Sequence, residues 1–116
     1  MRTKIADIAD LDAADGKMRV RFDQYDILIT RIDGAVHAID NRCSHAGIPL
    51  HKGRVRKCVV TCPSHLAKFD VRDGSIVRGP VEGHPDNVEP QEVFPVDLED
   101  GAIYADLPEK VSSRWT

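Results

Sequence analysis

With 116 residues, 41% of them apolar, and a formal net charge of -3, the chain has room for one domain and excludes a second catalytic one. No apolar run approaches the roughly twenty residues of a membrane span, and an acidic chain without aromatics interleaved among its basic residues excludes a usual nucleic-acid surface. Three cysteines cannot close a complete disulfide framework, and Met1 to Asp7 lacks the apolar core of a secretory signal, so a reducing cytoplasm is the expected setting.

In chain order, Thr3 to Ile8 reads as a short strand, and the Asp-rich, Gly-ended stretch from Ala9 as a turn or one helical turn. Lys17 to Phe22 alternates polar and apolar residues as a half-buried strand does. Tyr25 to Ile32 is a mostly β-branched strand, and Asp33-Gly34 is a hairpin turn into Ala35 to Ile39. Asp40 to Leu50 reads as a tight loop. Short strands follow at Arg54 to Val55 and Lys57 to Thr61, then a second loop at Cys62 to Leu66. Lys68 to Val71 and Ser75 to Val77 form a hairpin about Asp73-Gly74. Gly79 to Pro90, with three prolines, reads as a surface loop. Val93 to Leu98 and Ala102 to Leu107 close the chain as a last hairpin about Asp100-Gly101. The predicted fold is all-β, with small antiparallel sheets.

The chemistry concentrates in the two loops, as Cys43-Ser44-His45, sixteen residues, then Cys62-Pro63-Ser64-His65. Two thiolates and two imidazoles suit iron, copper or zinc, whereas calcium or magnesium calls for oxygen donors. Each arm holds one cysteine and one histidine, so one arm can give its thiolate to one metal and its imidazole to a neighbour. Two such arms would hold a two-metal cluster with both sulfurs on one iron and both nitrogens on the other. A single tetrahedral zinc on the same four residues is the competing reading.

The flanking residues narrow the choice. Cys43-Ser44-His45-Ala46-Gly47-Ile48-Pro49-Leu50, then Gly53, then Val59-Val60-Thr61-Cys62-Pro63-Ser64-His65, then Phe69-Asp70-Val71-Arg72-Asp73-Gly74 resembles the small Rieske-type [2Fe-2S] ferredoxins that serve bacterial aromatic-ring dioxygenases. The resemblance is densest from Val36 to Val77. It implies one [2Fe-2S] cluster per chain, held by Cys43, His45, Cys62 and His65, in a single domain over 1–116 with a cluster-binding subdomain at about 41–80. It implies a monomeric electron carrier rather than an enzyme. Its partners would be a flavoprotein ferredoxin reductase and a terminal oxygenase, docking transiently at the His45/His65 end. The alternative within the resemblance is the Rieske-like small subunit of a nitrite reductase.

Several positions carry further expectations. High-potential members of the family brace the loops with a disulfide whose places are here Gly47 and Ser64. This implies a potential low in the Rieske range of about -150 to +300 mV. Leu66 stands where the family usually has glycine, so either the loop changes conformation or Leu66 caps the cluster. Cys58 reads as a buried thiol within a strand. His37, His51 and His84 show no ligand spacing, and His51 could add positive charge near the docking face at low pH. Charge is segregated: Asn41 to Phe69 holds six basic and no acidic residues, and Val81 to Glu109 nine acidic and no basic ones. A positive cluster end steering toward acidic partners is the expectation.

Overall fold

The computed structural model describes residues 1–44, 47–64, 66–79 and 88–109. Strand β1 (Arg2–Asp7) leads into a short helix, α1 (Ile8–Ala13), and then β2 (Lys17–Phe22), β3 (Tyr25–Ile32) and β4 (Ala35–Asp40). A 3₁₀ turn (Leu50–Lys52) precedes β5 (Arg54–Arg56), β6 (Val59–Thr61), β7 (Lys68–Asp70) and β8 (Ile76–Arg78). The chain ends in β9 (Val93–Phe94), β10 (Val96–Glu99) and β11 (Ala102–Asp106). These build three antiparallel sheets in the orders β1-β11-β10, β2-β3-β4-β9 and β5-β6-β7-β8, the all-β architecture expected.

Strand β3 organises the interior because Tyr25 to Thr30 are all buried. A strand apolar on both faces needs cover on both. Ile27 and Ile29 point into one core with Leu11, Phe94 and Ile103, which α1 and the sheet containing β11 close. Leu28, on the opposite face by the period-two rule, joins a second core with Ile39, Cys43, Leu50, Val60, Cys62 and Phe69. The second core therefore ties the central sheet to the sheet of β5 to β8. Leu28 and Phe69 are fully buried, so truncating either to alanine would cost about 2–5 kcal/mol.

The Asp-Gly hairpins form as read. Asp33 and Gly34 have φ of 52° and 84°, and Asp100 and Gly101 have 49° and 78°, the positive pair that a two-residue turn matched to strand twist requires.

Two expectations change. The strand expected over Val93 to Leu98 is broken at Pro95, and its halves join different sheets: Phe94 pairs with Ala38, and Leu98 with Ile103. Lys57, at φ 55°, and Cys58 form the turn between β5 and β6, so Cys58 is half-buried against the second core and not inside a strand. The surface loop read from Gly79 to Pro90 falls mostly on residues 80–87, His84 among them, which lie outside the described residues, as does the tail with Trp115. No helix among the described residues is long and apolar enough to cross a membrane.

Candidate metal centre

The two arms share one backbone design. Cys43 N–H donates to the Ile48 carbonyl at 3.0 Å, and the Cys43 carbonyl accepts from Gly47 N–H at 2.7 Å. In the second arm, Cys62 N–H donates to the Ala67 carbonyl at 2.8 Å, and the Cys62 carbonyl accepts from Leu66 N–H at 3.1 Å. Gly47 and Leu66, closing the equivalent turns, have φ of 71° and 63°. The first alternative for Leu66, a changed loop conformation, is therefore overturned: the left-handed turn is retained. The leucine accepts a left-handed backbone that disfavours a side chain by about 1–2 kcal/mol. It is also 47% exposed, an apolar group at the surface beside the second arm. Both cysteines are fully buried and belong to the second core with Leu50 and Ala67. A thiolate in such surroundings would be costly without a cation, so these cysteines would carry charge only with a metal bound.

The first arm leaves β4 through a buried polar network. Asp40 Oδ1 accepts from the Arg42 backbone N–H at 3.0 Å and from Arg42 Nε at 3.1 Å, turning the chain out of the sheet. Burial pushes the Asp40 carboxyl up, and Arg42 opposes that. Asn41, fully buried, uses every polar group it has. Its N–H donates to the Asp26 carbonyl, its carbonyl accepts from Leu50 N–H, and its Oδ1 accepts from His51 N–H at 2.8 Å. Its Nδ2 donates to Asp26 Oδ1 at 3.1 Å and to His51 Nδ1 at 2.9 Å. Because Oδ1 is committed to the backbone of His51, Nδ2 must face the ring. His51 then accepts at Nδ1 and keeps its proton on Nε2.

Arg19 forks onto Asp26 at 2.9 and 2.7 Å. Burial pushes the Asp26 carboxyl up, but Arg19 and Asn41 outweigh it and hold it below the usual range. Burial, reinforced by the charge of Arg19, pushes the His51 imidazole down. The positive charge expected of His51 at low pH is therefore disfavoured, and the residue braces the arm as a neutral ring.

The second arm is the tip of the β6–β7 hairpin, entered from the Thr61↔Lys68 pair. Lys17 on β2 donates its Nζ to the Gly53 carbonyl at 2.8 Å, joining the central sheet to the sheet that bears this arm. Ser64 is exposed on the turn, and His37 lies half-buried on β4 opposite Thr30. His45 and His65 lie outside the described residues. One functional residue that the motif does not announce is Gln91. It is buried beside the first arm although 47 residues separate it from Ser44, to which it is hydrogen-bonded.

The family profile of the Rieske [2Fe-2S] domain matches residues 1–103. The chain belongs to this family. Among curated relatives of this Rieske domain, the 3-phenylpropionate/cinnamic acid dioxygenase ferredoxin subunit of Photorhabdus laumondii is 33% identical over 86 residues, 73% of this chain and 76% of that protein. Among solved structures, the ferredoxin of Sphingomonas yanoikuyae B1 superposes with a TM-score of 0.77 at 25% identity, covering 93% of this chain and 100% of that one. The ferredoxin of carbazole 1,9a-dioxygenase from Nocardioides aromaticivorans IC177 also gives 0.77 at 25%, covering 90% and 96%.

A Rieske domain implies a [2Fe-2S] cluster as cofactor. The donors fit that group. Two buried cysteines belong to one core cluster on turns of the same design, and in the sequence each is followed within three residues by a histidine, the donor types a Rieske centre uses.

Proposed function

We propose that this Rieske domain is a one-electron carrier. It takes an electron from a flavoprotein ferredoxin reductase and delivers it to a terminal oxygenase, an aromatic-ring dioxygenase, with no catalysis of its own. The single observation behind this reading is the pair of fully buried cysteines on matched turns, in a chain whose fold covers 100% of a solved ferredoxin. In this reading Cys43 and Cys62 would hold one iron and His45 and His65 the other. Residues 1–116 act as one monomeric domain in the cytoplasm, with the cluster subdomain at about 41–80. The bound cluster supplies the single redox equivalent. The chain buries the sulfurs, excludes water from them and presents a charged face to its partners.

That face is basic. Lys52, Arg54, Lys68 and Arg78 line a groove of about 400 Å³ together with Pro63 and the exposed Leu66, next to the second arm. Four cations around Pro63 and Leu66 support docking to an acidic surface, with steering that weakens as salt rises.

The test is a low-temperature EPR spectrum of the dithionite-reduced protein, with iron and sulfide analysis. A rhombic mixed-ligand signal with two irons per chain is expected. A colourless, EPR-silent protein carrying one zinc would overturn the carrier reading.

A further inference from the structure

We propose that Gln91 is a positioning residue for the Cys43 arm, its carboxamide fixing the backbone on both sides of that cysteine. The inference rests on the reading of Cys43 as a cluster ligand. Gln91 is 4% exposed. Its Nε2 donates to the Asp40 carbonyl at 2.9 Å and to the Arg42 carbonyl at 2.8 Å. Its Oε1 accepts from Ser44 N–H at 2.6 Å. All three hydrogen bonds go to main-chain groups from Asp40, at the end of β4, to Ser44, where the chain leaves the sheet. A buried backbone group in that position needs a partner from elsewhere, and one primary amide provides two donors and one acceptor in a single plane. Leucine of similar size provides neither, and glutamate provides the acceptor alone.

The backbone of Gln91 is fixed from the other side. Its N–H donates to the Gly74 carbonyl at 2.8 Å. A Cβ built on Gly74 would stand 2.0 Å from the Gln91 carbonyl oxygen, and Gly74 has φ of 77°. Gly74 closes the turn after β7, the strand that leaves the Cys62 arm. Gln91 therefore grips the first arm by its side chain and, by its main chain, the turn at the far end of β7, the strand that leaves the Cys62 arm. Adjacent contacts reinforce the strap: Ser44 Oγ accepts from Glu89 N–H at 3.2 Å, and Asp40 N–H donates to the Glu92 carbonyl at 2.8 Å. One link between the first arm and the strand that leaves the second therefore passes through this residue.

The test uses cluster-loaded wild type, Gln91→Leu, Gln91→Glu, Gly74→Ala and the Gln91→Leu/Gly74→Ala double variant. Three quantities are read: amide exchange at Ser44, the EPR spectrum of the reduced protein, and the rate at which visible absorption is lost. In Gln91→Leu, Ser44 exchange and cluster loss should both rise about tenfold, the factor equivalent to about 1.4 kcal/mol, with displaced g-values. Gln91→Glu keeps the acceptor for Ser44 and loses both donors, so cluster loss rises while Ser44 exchange stays near wild type. Gly74→Ala should reproduce the spectral change through the main chain, and the double variant should show less than the sum of the two.

Unchanged g-values and unchanged Ser44 exchange in Gln91→Leu, with only a lower melting temperature, would overturn the proposal. If Gln91→Leu yields no folded protein, an unaltered spectrum and rate in Gln91→Glu and Gly74→Ala overturn it equally. A wild-type protein without a mixed-ligand spectrum would instead sink the ligand reading, which the Ser44 exchange data do not depend on.

Discussion

A side-chain carbon on Gly53 would stand 1.9 Å from the carbonyl oxygen of Thr61, the residue immediately before Cys62. The turn that leaves the first arm thus lies directly against the strand that enters the second. Nothing larger than hydrogen fits between them. Gly53→Ala must push the strands apart at the base of the metal centre, and overpacking of this kind costs about 1–3 kcal/mol. We expect a lower urea midpoint and incomplete cluster loading. A variant that loads fully with an unchanged midpoint would show that the two segments can part freely.

Leu66 is the counterpart of Gly47, and only one of them is a glycine. Relieving the left-handed backbone by Leu66→Gly should stabilise the fold by about 1 kcal/mol, since little packing is lost from a side chain that is 47% exposed. The same change removes the apolar group from the basic groove. If that group contacts the partner, electron delivery should slow while the cluster's EPR spectrum is unchanged. Urea unfolding and stopped-flow oxidation by the oxygenase read the two effects separately.

His51 gives the fold a pH dependence of definite sign. Burial first, then the charge of Arg19, holds its imidazole below the ordinary 6.5 in the folded state, so the unfolded chain takes up the proton first. The contribution is full above 6.5 and is lost as pH falls below it. Asp26, also held below its ordinary 3.8, acts in the same sense only in more acid solution. Urea midpoints at neutral and mildly acid pH should therefore diverge more in wild type than in His51→Gln. Equal divergence would place the titration elsewhere.

The Arg19–Asp26 fork anchors the network that reaches Asn41 and His51. Asp26→Ala leaves Arg19 without its two carboxylate bonds and Asn41 without one acceptor, and it should cost about 2 kcal/mol. The loss should appear as faster exchange of the His51 and Leu50 amides, with the β10–β11 hairpin unaffected. Uniform exchange across the chain would mean that the network is not local.

The amino-acid sequence alone determined what local chemistry can determine. Alternation marked the strands, Asp33-Gly34 and Asp100-Gly101 marked hairpins that form with the positive φ pair those turns demand, and the two Cys/His arms marked a candidate transition-metal site by spacing and donor type. Even the departure at Leu66 was visible, though not that the backbone would tolerate it. What only the tertiary structure decided are the relations between distant segments. Pro95, lacking an N–H, breaks one apparent strand so that it serves two sheets, and Gln91 fills the hydrogen-bonding needs of a loop about fifty residues away. Neither leaves a periodic trace, because a buried amide is chosen by the backbone groups that close around it, and those are assembled only when the chain folds.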